Sequence, residues 1–202
     1  GSVGQTAATD CIECVAGKWS STAGEEHETD CIACVGGKYS TTVAAVAESY
    51  CIDCAAGQWV GTAANDDTSD CIDCVAGRYV EATGSSDVSA CIVCMAGKWS
   101  AVARLSQETD CIACVAGKYL ETTASIVESA CIDCMSGKYA LATASALESN
   151  CIDCELGRYS AVSGRSSLDQ CALCAVGQYQ DETGRTVCIE CVAGTYLDTQ
   201  GN

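Results

Sequence analysis

The chain has no Phe, no Pro, a single His, and only 10 Lys plus Arg in 202 residues. Each shortage excludes something. Large aromatic side chains dominate most globular cores. Here there are 3 Trp and 8 Tyr, and all but Tyr50 stand at one recurring position, so little remains for a central core. The hydrophobic fraction of 49% is mostly Ala, Val and Cys, too little bulk to offset the ordering entropy of the chain without covalent help. Few cations against 27 Asp plus Glu leave a net charge of −17. That disfavours nucleic acid, whose binding rests on neutralising phosphates, and anionic membrane surfaces. No run of about 18 apolar residues occurs, so no membrane insertion is expected of this segment. His27, in an acidic loop, is the one imidazole, and there is neither a Ser/His/Asp set nor a phosphate-binding Gly loop. No catalytic residue, no metal and no cofactor is therefore expected, and the chain does not read as an enzyme. An initiator Met and a signal peptide are also missing, which reads as a mature or excised segment. Asn65, Asn150 and Asn202 all lack the N-glycosylation sequon. Ser/Thr-rich loops such as Ser40-Thr41-Thr42 and Ser85-Ser86 are the candidates for O-linked glycans.

What the chain does have is 20 Cys, in a strict repeat. Cys-x-x-Cys pairs stand at Cys11/Cys14, Cys31/Cys34, Cys51/Cys54, Cys71/Cys74, Cys91/Cys94, Cys111/Cys114, Cys131/Cys134, Cys151/Cys154, Cys171/Cys174 and Cys188/Cys191. The interval is 20 residues eight times and then 17. With the first Cys of each pair as position 1, position 2 is Ile except at Ala172. Position 7 is always Gly: Gly17, Gly37, Gly57, Gly77, Gly97, Gly117, Gly137, Gly157, Gly177 and Gly194. Position 9 is always aromatic: Trp19, Tyr39, Trp59, Tyr79, Trp99, Tyr119, Tyr139, Tyr159, Tyr179 and Tyr196. Position 8 is mostly Lys or Arg, and position 14 mostly Gly or Ala, with Arg104 a departure. Such periodicity marks a stacked array in which each repeat buries itself only against its neighbours.

The organisation follows: a partial N-terminal repeat over 1–10, nine tandem repeats over 11–187 (the last of 17 residues), and a partial C-terminal repeat over 188–202. The expectation is a segment of a longer array, or one that joins copies head to tail. A fainter 80-residue echo, in which Glu28-Thr29-Asp30-Cys31-Ile32-Ala33-Cys34 returns as Glu108-Thr109-Asp110-Cys111-Ile112-Ala113-Cys114, suggests block duplication. Twenty residues hold a tight turn, a short extended arm and a returning loop. The Gly at position 7 is expected at positive φ or a close backbone approach. Gly37-Lys38-Tyr39-Ser40-Thr41-Thr42 favours a short strand, Ser125–Ser129 one helical turn, and the position-9 ring is expected to pack on a neighbouring disulfide and on Ile. The fold class is thus a small disulfide-rich repeat array, an elongated solenoid-like rod with short β-strands and little regular secondary structure.

Three chemistries compete for the cysteines. Structural disulfides would place the protein in an oxidising compartment, and closing a 16-residue loop is worth roughly 3 kcal/mol. The spacing also lies inside the zinc-ribbon range, so a zinc-binding tetrathiolate array is a rival, weakened by uniform intervals and by the negative charge it would add. Thiol–disulfide exchange needs a surrounding α/β domain that is not there. Spacing alone leaves open which Cys bonds which. Carboxylates between the paired Cys (Glu13, Asp53, Asp73, Asp133, Asp153, Glu190) read as a solvated face rather than a calcium stripe. Asn65-Asp66-Asp67-Thr68-Ser69-Asp70 lacks the pattern of a calcium loop. Position-8 cations are expected to pair with the carboxylates between rungs.

Cys-x-x-Gly-Lys-Tyr followed by a Cys-x-x-Cys pair resembles the ephrin-receptor-like cysteine-rich repeat, and is similar to the first module of tumour-necrosis-factor-receptor repeats. Cys174-Ala175-Val176-Gly177-Gln178-Tyr179 through Cys188 has the short loop nearest the second family. Pro, frequent after the second Cys in those families, is replaced here by residues such as Val15, Ala55, Met95 and Glu155. The resemblance implies elongated extracellular ladders in which the Cys before Gly-x-Tyr bonds the next Cys. The implied pairs are Cys14–Cys31, Cys34–Cys51, Cys54–Cys71, Cys74–Cys91, Cys94–Cys111, Cys114–Cys131, Cys134–Cys151, Cys154–Cys171 and Cys174–Cys188. Cys11 and Cys191 are then left for inter-chain or truncated bonds. The array's regularity resembles surface and fibre proteins of protists and algae. The expected function is an extracellular, secreted or cell-surface structural protein. It would form a rod or protofilament segment that self-associates into a filament or continues in a longer array. The alternative is a ligand-binding or adhesive stalk or ectodomain of a receptor-like protein.

Overall fold

A computed structural model describes residues 11–24 and 26–201; the part-repeat expected over 1–10 lies outside them. The chain divides into two compact units. One takes the residues up to Ile92 together with Ala103–Glu108, the other Val93–Val102 together with the residues from Thr109 on.

Each unit is built from the same local moves. In the first unit, Lys18 donates its backbone N–H to the Val15 carbonyl at 3.1 Å, closing a turn whose third residue, Gly17, has φ +80°. That conformation suits glycine and penalises any residue with a Cβ. The turn releases a two-residue strand, Lys18–Trp19, which pairs antiparallel with Ile32–Ala33 of the next repeat, Trp19 opposite Ile32. Aromatic and β-branched residues suit such a ribbon. The register returns as Tyr39 opposite Ile52 and Trp59 opposite Ile72. In the second unit it returns as Trp99 opposite Ile112, Tyr119 opposite Ile132, Tyr139 opposite Ile152, Tyr159 opposite Ala172, and Tyr179 opposite Ile189. The strand expected over residues 37–42 is thus only Lys38–Tyr39. The helical turn expected near Ser125–Ser129 is a single 3-10 turn at Glu128–Ala130. The same turn precedes the Cys in other repeats, as at Glu28–Asp30 and Glu148–Asn150.

Asp67 and Asp87 cap two of these turns, accepting from the Ser69 and Ser89 backbone N–H at 2.8 and 2.7 Å. The hydrogen bonds from Ser69 and Ser89 hold both carboxyls below the usual carboxylate range. Asp70 accepts from the backbone N–H of Asp66 and Asp67. The acidic cluster at 65–70 is therefore spent on ordering its own loop.

Successive repeats are tied by backbone. In the first unit Gly17 N–H donates to Ser40 O at 2.8 Å, Cys34 N–H returns to Gly17 O at 2.8 Å, Ser20 N–H reaches Ala45 O at 3.0 Å, and Ala44 N–H reaches Cys14 O at 2.8 Å. In the second unit Gly117 N–H donates to Ala140 O at 2.9 Å, Cys134 N–H to Gly117 O at 2.8 Å, Leu120 N–H to Ser145 O at 3.0 Å, and Ala144 N–H to Cys114 O at 2.8 Å. Isolated parallel bridges join the position-9 ring residue to position 15 of the next repeat, as Trp19 to Ala45 and Tyr119 to Ser145.

Position 14 is left-handed even where it is not glycine: Ala44, Ala64, Arg104, Ala124 and Ala144 have φ between 54° and 62°. Arg104 is the most informative. Its ion pair to Asp73, at 3.8 Å between half-exposed groups, contributes little. Arg104→Gly should stabilise the first unit by about 0.5–1 kcal/mol, the left-handed strain less glycine's added chain entropy. Thermal denaturation of the two proteins side by side checks it.

Candidate functional site

The chemistry-bearing residues of this chain are its sulfurs. Disulfides join Cys14–Cys31, Cys34–Cys51, Cys54–Cys71 and Cys74–Cys91 in the first unit. In the second they join Cys94–Cys111, Cys114–Cys131, Cys134–Cys151, Cys154–Cys171 and Cys174–Cys188. They run between successive Cys-x-x-Cys pairs, never within one. The sulfurs that a zinc tetrathiolate would need are thereby consumed, and the described residues hold no cluster of three or more His, Cys, Asp or Glu able to grip a metal.

Small cores gather on these bonds. Cys54 and Cys71 pack with Val60 and the Tyr39 ring; Cys74 and Cys91 pack with Val80, Ala90 and Trp59. In the second unit Trp99 lies on Cys114–Cys131 with Leu120, Tyr119 on Cys134–Cys151 with Ala140, and Tyr139 on Cys154–Cys171 with Leu168. In these five cores the ring of one repeat covers the disulfide that leaves the next repeat. Tyr196 is an exception: it has no such bond beside it among the described residues and is 83% exposed. Burial, then the nearby Glu148 and Glu121 carboxylates, push the Tyr119 phenol up.

Ile at position 2 stands directly opposite the ring across the ribbon but is not itself buried. From Ile32 to Ile189 the position-2 isoleucines are about half exposed, because the ribbon is only two strands wide and little besides the ring opposite shields them. Position 10 fills the core instead: Ser40, Val60, Val80, Ser100, Leu120, Ala140, Ser160 and Gln180 are all buried. Its signal in the sequence is the absence of charge in every repeat. Position 15 is also buried, with Ala45, Asn65, Ser85, Leu105 and Ser145. Its polar members are satisfied; Asn65, for example, donates to the Lys38 and Thr62 carbonyls. No buried side-chain nitrogen or oxygen among the described residues lacks a partner, as native cores require.

The carboxylates between paired Cys meet cations across the ribbon. Lys38–Asp53, Lys118–Asp133 and Lys138–Asp153 stand at 3.1, 2.7 and 2.8 Å. Where the next repeat has no acid there, the cation goes elsewhere. Lys18 faces Ala33 and pairs instead with Glu28 at 2.9 Å. Arg158, facing Leu173, donates to the Cys171 carbonyl at 2.9 Å. Gln58 substitutes for a cation, its amide on Asp73 at 2.9 Å. Arg185 pairs with Glu182.

Cys11 and Cys191 are the two cysteines outside a disulfide, Cys11 exposed and Cys191 partly covered. Cys191 nevertheless occupies the ladder geometry. Its N–H donates to Gly177 O at 2.9 Å, Gly177 N–H to Leu197 O at 2.9 Å, and Gly201 N–H to Cys174 O at 3.1 Å, the same bonds that position other second cysteines.

Residues 162–202 match the family model described as tyrosine-protein kinase ephrin type A/B receptor-like. That stretch contains Cys171, Cys174, Gly177, Tyr179, Cys188 and Cys191, the ladder residues themselves. No curated protein matches the chain. The chain is a cysteine-rich tandem-repeat array of disulfide-linked ribbons. No helix among the described residues is long and apolar enough to cross a membrane. Such disulfide density and the receptor-like match suit an extracellular or cell-surface setting and a structural or ectodomain role.

Proposed function

We propose that this chain is a structural segment of an extracellular fibre or surface appendage, its strength supplied by one disulfide per repeat and its length by addition of repeats. The observation that carries the reading is the uniform rung. The same turn, backbone bonds, disulfide and ring recur in both units with almost no insertion that could form a separate ligand site. Cys191, placed for a disulfide but without one, supports linkage to the first cysteine of a further repeat, in this chain's continuation or in a second copy through Cys11. Oxidised protein should form disulfide-linked species on non-reducing gels that vanish on reduction and in Cys191→Ser. Electron microscopy should show filaments in the wild type. Monodisperse single particles, with Cys191→Ser indistinguishable from wild type, would overturn the fibre reading.

The second reading is the stalk or ectodomain of a receptor-like protein, favoured by the family match at 162–202. It calls for a monomeric protein that captures a soluble partner, with no filament under any redox condition. O-linked glycans on the Ser/Thr-rich loops suit either reading, and the intact mass of the native protein measures them.

A further inference from the structure

Two recesses open in the array, and they are the same place in the 80-residue echo. One, of about 240 Å³, is lined by Trp99, Ile112, Ala113, Val115, Lys118 and Glu128. The other, of about 160 Å³, is lined by their counterparts Trp19, Ile32, Ala33, Val35, Lys38 and Glu48. Each lies wholly within one unit. The reason for the opening is local. At Ile52, Ile132 and Ile152 the neighbouring position 3 is Asp, and a lysine from the preceding repeat crosses the ribbon to meet it. At Ala33 and Ala113 there is only a methyl group. Lys18 turns away to Glu28, and the indole side of the ribbon is left uncovered.

The exposed lining has a definite chemistry. Its floor is an indole ring with Ile and Val methyl groups. The rim lysines are already neutralised, Lys38 by Asp53 and Lys118 by Asp133. The rim carboxylates Glu48 and Glu128 have no ion-pair partner among the described residues. An aromatic face beside an uncommitted carboxylate attracts a cation with an apolar stem, and the net charge of −17 favours approach of a basic ligand over a second copy of this chain. We propose that these recesses are paired docking sites for arginine or lysine side chains of a basic protein segment, one site in each 80-residue block. Block duplication then has a consequence beyond length, since it carries the site with it.

The third tryptophan supplies an internal control. Trp59 pairs with Ile72, and position 3 beside it is Asp73, held by the Gln58 amide, where Trp19 and Trp99 have only Ala33 and Ala113. The test is a titration of the disulfide-intact chain with the blocked tripeptide acetyl-Gly-Arg-Gly-amide, followed by the three indole N–H resonances. The neutral citrulline analogue is titrated in parallel. Trp19 and Trp99 should shift saturably while Trp59 stays still. The citrulline peptide should bind at least about fivefold more weakly, and Glu48→Gln with Glu128→Gln should weaken the arginine peptide by a similar factor. Ala33→Asp and Ala113→Asp should abolish the response by closing the ribbon. Retained exchange protection of the Cys34 and Cys114 N–H groups, which bond the Gly17 and Gly97 carbonyls beside the two recesses, reports that the fold persists in each variant. Equal shifts of all three indoles, equal binding of the citrulline peptide, no shift up to about 10 mM peptide, or shifts that follow protein concentration instead would each overturn the proposal.

Discussion

Gly117→Ala should destabilise the second unit by roughly 3–5 kcal/mol, whereas Gly177→Ala should cost only about 1–2 kcal/mol. Both residues have a left-handed backbone, at φ +86° and +80°, so both substitutions incur the same conformational strain. They differ in what a Cβ would meet. At Gly177 there is nothing within 4 Å, while at Gly117 the added carbon would collide with the carbonyl of Gly164, two repeats on. Backbone on both sides cannot step aside as a flexible side chain could. The same approach recurs from Gly37 to Gly84, from Gly97 to Ala144 and from Gly137 to Gly184. The invariant glycine is thus the node of the array. Its N–H and carbonyl bond the next repeat, and its Cα lies against the repeat after that. Amide hydrogen exchange across residues 117–164 should show lost protection in Gly117→Ala and near-normal protection in Gly177→Ala; equal effects would sink this explanation.

Replacing both Cys114 and Cys131 by Ser should be nearly as damaging. The bond closes a loop with a sequence separation of 17, worth about 3 kcal/mol of chain entropy. The two cysteines, 1% and 4% exposed, are also packed by Leu120, Ala130 and Trp99. Polar hydroxyls in that site add about 1–2 kcal/mol. Because each repeat touches only near neighbours, the damage should stay local. Limited proteolysis should cut first between residues 114 and 131, and Trp99 emission should move to the red while Trp59 keeps its native environment. Uniform proteolysis along the whole chain would show that the array unfolds as one body instead.

The sequence made Gly at position 7 legible because two physical demands, positive φ and the close approach, preserve one residue type there. The ring at position 9 was legible for a similar reason, since each disulfide needs a flat apolar cover. Ile at position 2 was misleading. Hydrophobic character and near-invariance suggested burial, but Ile stands beside the ring on the same face of the ribbon, and it is the ring, packed on the disulfide, that is covered while Ile stays half exposed. Position 14 was legible only in part: Gly24, Gly84, Gly164 and Gly184 hint at positive φ, whereas Ala44, Ala144 and especially Arg104 carry no signature of a left-handed backbone. Position 15 varies from Ala45 to Asn65 to Leu105 because backbone bonding, rather than side-chain shape, holds it. The ion pairs were readable only in part. Lys38 and Asp53 are far apart in sequence and meet only once the ribbon register is known. The recesses at Trp19 and Trp99 were invisible for the same reason.

The central claim is that the covalent bonds run from one Cys-x-x-Cys pair to the next. Cleavage of the native, alkylated protein and mass spectrometry of the peptides without reduction tests it directly. The expected result is cross-linked peptides joining Cys34 to Cys51, Cys114 to Cys131 and the other successive pairs, with alkylated thiol confined to Cys11 and Cys191 or those two joined between chains. Bonds closed within Cys31/Cys34 or Cys111/Cys114, or 20 free thiols accompanied by zinc, would contradict it.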